Sequence, residues 1–284
     1  MTPLIALTIG FFDGVHLGHQ ALFRRLSELG EPVCLTFENH PLSVISGAPP
    51  PLLTPTPERL RRIKEQVSRV ISLPFTPELA EMGAESFIAM IRKELPFRHL
   101  LLGHDGRLGK NREGTPEVLR AIGEREGFTV EYLAPVGGKS PVSSGRIRRA
   151  VGAGELALAE SLLGRPYTLT GEVIHGPGEG RRIGFPTANV DPAHQLLPPF
   201  GVYVVTVGET KGVANLGVAP TLHQHRRPLL EVHLFDTCED LYGRELTVSL
   251  HHFLRPERTF ASPEALKSQI AADISEAHSF FKKM

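Results

Sequence analysis

Hydrophobic positions in the first half of the chain alternate between short continuous runs and segments of helical period. Leu4 to Ile9, Val33 to Phe37, Val70 to Leu73, Leu100 to Leu102 and Val130 to Leu133 are apolar runs of strand length. Between them, Gly18 to Leu29, Pro57 to Gln66, Glu85 to Leu95 and Pro116 to Glu126 place apolar residues three and four apart. Two of these segments begin on proline, which suits the first turn of a helix. Strand alternating with helix predicts an α/β domain built on a parallel sheet covered on both faces.

After Gly164 the period changes. Tyr167 to Ile174, Val202 to Val207, Leu230 to Leu234 and Leu246 to Phe253 alternate apolar and polar residues and are separated by Gly- and Pro-rich breaks. This predicts antiparallel strands closed as a small β-barrel. Pro263 to Phe281 is amphipathic, with Ser262 placed as its N-cap, so a terminal helix is expected. Ile147 to Val151 and Leu156 to Leu163 are predicted as short helices hinged at Gly152 and Gly154. The boundary is placed at Gly164, giving domains 1–164 and 165–284. The proline cluster from Pro49 to Pro57 is predicted to be a solvent loop.

Composition narrows the classes of partner. A chain of 284 residues exceeds what one hydrophobic core usually organises. Lys plus Arg (31) equals Asp plus Glu (31), so no net field draws nucleic acid or an anionic membrane, and small-molecule partners are expected. Cys34 and Cys238 show neither CxxC nor His-rich spacing, which argues against a disulfide framework or a zinc site. No apolar run approaches the roughly 18 residues of a membrane span, so a cytoplasmic protein is expected. Oligomeric state is not legible.

Candidate chemistry concentrates in two places. Directly after the first strand runs Gly10-Phe11-Phe12-Asp13-Gly14-Val15-His16-Leu17-Gly18-His19, a glycine-rich turn leading into a helix. Glycines let backbone approach a ligand, the helix start offers unpaired N–H groups, and His16 and His19 project from one side, so the turn is suited to phosphate. In the second half, Gly176-Pro177-Gly178-Glu179-Gly180-Arg181-Arg182 leads into Ile183-Gly184-Phe185-Pro186-Thr187-Ala188-Asn189. Glycine-rich backbone at Gly178 and Gly180 beside Arg181 can wrap a polyphosphate. The oxygens of Thr187 and Asn189, two apart on an extended segment, face one side and suit Mg²⁺. In Leu230-Glu231-Val232-His233-Leu234, Glu231 and His233 share the face opposite the apolar residues, and a carboxylate there could accept a hydroxyl proton.

These motifs resemble the family of bacterial bifunctional riboflavin kinase/FMN adenylyltransferases, and the similarity runs along the whole chain. Thr8 to His19 looks like the first motif of its nucleotidyltransferase domain, a Rossmann-like parallel sheet. Ser143-Ser144-Gly145-Arg146-Ile147-Arg148 occupies the place of Ser-Ser-Thr-x-Ile-Arg, and Thr36-Phe37-Glu38-Asn39-His40-Pro41 that of Thr-Phe-x-Pro-His-Pro. The resemblance implies that His16 and His19 bind ATP phosphates and take part in adenylyl transfer. It implies that Gly10, Asp13 and Gly14 shape the nucleotide pocket and that Ser144 and Arg148 add phosphate contacts. Phe37, His40 and Asp105 become flavin candidates, although Phe37 reads equally well as core. The Gly176 to Asn189 run resembles the riboflavin kinase signature, and the resemblance gives Glu231 the role of base. The implied substrates are riboflavin, FMN and ATP, with Mg²⁺. The chain departs from the family at Phe11, where Asn is usual, at Gly145, where Thr is usual, and at Gly106 and Leu108, where both aromatics of Gly-x-Asp/Asn-Phe-x-Phe-Gly are absent. Two other readings stay open: a kinase whose N-terminal domain is a weak or inactive nucleotide scaffold, and a flavin carrier without turnover.

Overall fold

The computed structural model describes residues 4–175, 180, 183–192, 194–218, 228–235 and 241–284. The chain divides into two compact units, residues 1–144 and 145–284.

The first unit runs β1 (Ile5–Ile9), α1 (Leu17–Leu29), β2 (Glu31–Phe37), α2 (Pro41–Ile45), α3 (Thr56–Lys64), β3 (Arg69–Leu73), α4 (Pro77–Ala80), α5 (Ala84–Glu94), β4 (His99–Gly103), α6 (Pro116–Glu126) and β5 (Thr129–Leu133). All its strands pair in parallel, in the order β3-β2-β1-β4-β5. The expected strands and long helices are present, with ends shifted by a residue or two. Side chains that alternate along a strand enter two cores. Leu7, Leu35, Leu100 and Leu102 join Phe87, Ile88 and Leu119 of α5 and α6. Ala6, Cys34 and Leu101 join Leu22, Phe23 and Leu26 of α1 and Ile63 of α3. Burial on both faces is why these strands are continuous apolar runs. It also pushes the Cys34 thiol pKa up, which makes it an inert core residue; Cys238 lies outside the described residues.

Helices α2 and α4 were not foreseen. Each is about one turn that begins on proline after a capping side chain, His40 or Thr76, and one turn is too short to display a period. The reading of 49–57 as a solvent loop needs correction. Leu53 and Thr54 are buried, and their backbone N–H groups donate to the Asp13 carboxylate at 3.0 to 3.2 Å. A short polar anchor holds this proline-rich segment, and anchors of that kind leave no hydrophobic periodicity.

In the second unit, α7 (Ser144–Gly152) and α8 (Leu156–Leu163) lead into β6 (Tyr167–Ile174), β7 (Ala188–Val190), β8 (Gly201–Val207), β9 (Thr210–Val218), β10 (Pro228–Leu234) and β11 (Glu245–Arg255). These close as an antiparallel barrel in the order β10-β7-β6-β11-β8-β9. Val173, Val190, Leu230, Leu216, Tyr203 and Val248 are fully or nearly fully buried and share the inner face by register. The last helix, α9 (Pro263–Phe281), is capped by Ser262 as expected. It lays Ala277, Ile274 and Phe281 on Val202, Val204 and Val213 of the outer face. Arg255 at the end of β11 donates three hydrogen bonds to Asp273 of α9, 2.7 to 3.1 Å, in a nearly buried ion pair.

Candidate active sites

In a sheet ordered 3-2-1-4-5 the connections reverse between β1 and β4, and the crevice beyond their carboxyl ends is where open α/β sheets bind ligands. The two loops singled out in the sequence, 10–16 and 103–109, leave β1 and β4 at this point.

The first loop is held in an unusual backbone path. Phe12 (φ 57°), Gly14 (φ 82°) and Val15 (φ 42°) are left-handed, and Val15 is β-branched, for which that region is costly. The path brings the His16 ring to the start of α1, where its Nδ1 accepts from the His19 backbone N–H at 3.4 Å. In the neutral ring this leaves the proton on Nε2. The His16 and His19 rings stack with centroids 3.6 Å apart and planes 17° from parallel, and Phe12 packs edge-on against His19 at 5.2 Å. Nδ1 of His19 is buried without a hydrogen-bond partner among the described residues. Burial first, then the neighbouring His16 and Arg59, hold the His19 pKa well below the usual histidine range, so the ring is neutral near pH 7.

This shift has a measurable consequence. A base whose folded pKa is depressed contributes stability that is complete above its unfolded pKa, about 6.5, and is lost as pH falls below it. The thermal midpoint of the chain is therefore expected to drop more steeply from about pH 7 to pH 5 than that of His19→Gln. Parallel curves for the two proteins would show that His19 protonates freely in the fold.

The remaining sequence candidates of this unit take distinct places. Gly10 continues β1 toward β2, its N–H donating to Leu35 O at 3.1 Å. The Asp13 carboxylate accepts from the Leu53 and Thr54 N–H groups, and its carbonyl accepts from Ser144 Oγ at 2.9 Å, so Ser144 is tied to the turn after β1. Arg148 lies one turn further along α7, in the second unit. Phe37 is 7% exposed and packs edge-on against Phe75 within the core. His40 caps α2 through Nδ1 and sets its ring 4.6 Å from that of Phe11. Asp105 is exposed in the turn 103–106, where Gly106 N–H donates to Gly103 O. A Cβ on Gly106 would stand 2.9 Å from Leu102 Cβ, and Leu108 is buried in the core, so neither position has room for a ring facing the crevice.

Sequence reasoning missed Arg59. Its side chain is wholly buried at the carboxyl ends of β1 and β2, donating to Thr36 Oγ1 at 2.8 Å and Phe37 O at 2.7 Å, with a further bond to Phe11 O. Burial brings its pKa down to about 10, which leaves it charged at neutral pH. The available signal was that Arg59 sits four residues before buried Ile63 on α3, on the apolar stripe rather than opposite it.

In the second unit the barrel register assembles the other candidates. Glu231 of β10 pairs with Asn189 of β7 on one side and with Asn215 of β9 on the other. Residues directly opposite in an antiparallel ladder project from the same face, so these three form a row on the outer face. His233, two residues along, donates from Nδ1 to Pro186 O (2.9 Å) and meets the Phe185 ring edge-on at 5.6 Å. Phe185 N–H bonds to Gly180 O, and a Cβ on Gly180 would come 3.1 Å from Thr187 Oγ1. Thr187, half-buried, and Asn189, buried, thus present oxygen donors beside a carboxylate and a close-packed glycine backbone. Among the described residues no cluster of three or more His, Cys, Asp or Glu is gathered for a metal. A pair of neutral oxygens fits Mg²⁺, which takes few protein ligands and fills its octahedron with water and phosphate. Gly178 and Arg181 lie outside the described residues.

Comparison with known proteins agrees with both halves. Residues 2–146 match the model of a FAD synthetase family and residues 163–281 that of a riboflavin kinase family. The chain is 43% identical, over 97% of its length and 92% of the relative's, to a bifunctional riboflavin kinase/FMN adenylyltransferase of Escherichia coli K12. It is 42% identical, over 95% and 91%, to one of Pseudomonas fluorescens. A solved structure described as a macrolide-efflux protein of Streptococcus pneumoniae superposes with a TM-score of 0.84 at 30% identity, covering 98% of this chain and 95% of that one. Among the described residues no helix is long and apolar enough to cross a membrane.

Proposed function

The chain belongs to the family of bifunctional riboflavin kinase/FMN adenylyltransferases, and from that premise we propose how its own residues carry the two reactions. It phosphorylates riboflavin to FMN with ATP and adenylylates FMN to FAD with release of pyrophosphate. We assign the adenylyl transfer to residues 1–164 and the kinase to 165–284.

The observation that carries the kinase assignment is the register pairing of Glu231 with Asn189. Glu231 accepts the proton of the riboflavin 5′-hydroxyl as the hydroxyl oxygen attacks the γ-phosphorus of ATP and the bond to ADP breaks. Thr187 and Asn189 would hold Mg²⁺, which when bound neutralises charge on the transferring phosphate. Gly180 lines the polyphosphate.

In the adenylyl site the FMN phosphate attacks the α-phosphorus of ATP, and the bond to pyrophosphate breaks. No protein nucleophile is required, only donors placed where charge develops. His16 and His19 at the start of α1 serve as those donors, Gly10 and Gly14 let the backbone close on the nucleotide, and Ser144 adds a contact to phosphate. Because His19 is neutral, it donates one directed N–H rather than a mobile charge. Asp13 fixes the 53–54 segment and the turn together. His40 and Asp105 stand on loops around the same crevice and remain candidates for flavin contact, while Phe37 supports from the core.

A time course with riboflavin and MgATP, following riboflavin, FMN and FAD together, tests the whole assignment. FMN is expected to rise and then be consumed as FAD accumulates. FMN without FAD would reduce the first unit to a scaffold, and binding without either product would leave only a carrier.

A further inference from the structure

Any planar ring bound in the β1/β4 crevice needs a flat apolar surface, and the first unit offers few. Of its aromatic side chains, Phe12, Phe23, Phe37, Phe87, Phe97 and Phe128 are buried in the two cores. Only Phe11, Phe75 and Tyr132 remain partly exposed among the described residues. Phe11 is the one on the phosphate turn itself, five residues before His16.

Its ring is fixed on several sides. The Arg59 guanidinium lies 4.0 Å from the ring centroid, and the same arginine holds the Phe11 carbonyl. Thr36 Oγ1 donates to that carbonyl as well, at 3.3 Å. The His40 ring stands edge-on at 4.6 Å. Asn39, next in sequence to His40, both donates to Phe75 O (3.0 Å) and accepts from Phe75 N–H (2.9 Å). Phe11, His40 and Phe75 are thereby linked in one partly exposed aromatic rim that packs on the α5/α6 core. A buried cation under a ring at the crevice is costly to assemble and, among the described residues, its side chain bonds only to backbone and Thr36. It makes sense as a device that holds the ring in one orientation.

We propose that Phe11 is the platform on which the isoalloxazine ring of FMN stacks during adenylyl transfer. This rests on the adenylyl reading above. The rim's two phenylalanines are apolar and partly exposed, which suits a tricyclic ring with a dimethylbenzene end better than adenine, whose recognition calls for hydrogen bonds along its polar edge. Phe11 also answers what Gly106 and Leu108 do not supply, since the first has no side chain and no space for one and the second is in the core.

The test uses the full chain, with kinase turnover and thermal midpoint as folding controls. Phe11→Leu keeps an apolar residue but loses the ring; the KM for FMN is expected to rise about tenfold or more, with the KM for ATP and kcat little changed. Phe11→Tyr should stay near wild type. The chain contains no tryptophan, so Phe11→Trp gives a second readout: FMN added to it should produce a long-wavelength charge-transfer absorbance from indole against flavin, absent from the parent protein. A rise in the KM for ATP instead would place adenine on this ring and overturn the proposal. An unchanged KM for FMN in Phe11→Leu, or no charge-transfer band in a folded Phe11→Trp, would overturn it as well. If Phe11→Leu does not fold, the tryptophan variant alone decides. Failure of the parent chain to form any FAD from FMN and MgATP would be a different result, removing the adenylyl reading together with its platform.

Discussion

Glu231→Gln and Asn189→Ala are each expected to abolish most phosphorylation of riboflavin while FAD formation from supplied FMN persists. The amide of Glu231→Gln fills the same volume and can still hydrogen-bond, but it takes up no proton. General-base assistance contributes about 10² to 10⁴ in rate, so kcat should fall by about that factor with little change in KM for riboflavin. Asn189 acts differently. It is buried in a three-residue strand, directly opposite Glu231, and Asn189→Ala removes an oxygen donor at the place assigned to Mg²⁺. Its defect should therefore be partly relieved by raising the Mg²⁺ concentration, whereas that of Glu231→Gln should not. Steady-state kinetics over a Mg²⁺ series check both, with FAD formation from FMN as the control that the chain is folded. Kinase turnover within a few-fold of the parent in both variants would remove the site.

The contrast between the two variants depends on register, which the sequence only half disclosed. Alternation within 230–234 placed Glu231 and His233 on one face of their strand. It could not say that Asn189, more than forty residues away, lies opposite, because strand pairing is a non-local choice. The parallel sheet was legible because its strands are buried on both faces and its helices run eight residues or longer. Helices α2 and α4 were not, being too short for a period to develop. Individual side chains were the least legible. Asp13 reads as a pocket residue, yet its carboxylate anchors a segment 40 residues on. Arg59 reads as an ordinary charge on an amphipathic helix until tertiary packing closes over it. Phe37 had two equal readings, and burial favours the core. In each case the deciding quantity is a contact made across the fold.

His19 gives the second large effect, in the other reaction. Removing one preorganised donor from a site where negative charge develops costs about 10² to 10³ in kcat. The residue does two things here, however: it offers a donor, and its ring supports that of His16 at 3.6 Å and meets Phe12 edge-on. His19→Ala removes both functions and should lose about 10² or more in adenylyl transfer. His19→Phe keeps a ring to stack and loses the donor, while His19→Gln loses the ring and keeps an N–H. If the donor matters, the Phe variant should be as inactive as the Ala variant and the Gln variant should recover part of the rate. If support of His16 matters, the order reverses. FMN synthesis from riboflavin should be nearly untouched in all three, since the kinase residues belong to the barrel. Equal loss of both activities in every variant would mean that the substitutions act on folding. Measuring FAD formation from FMN alongside FMN formation from riboflavin in each protein separates these outcomes.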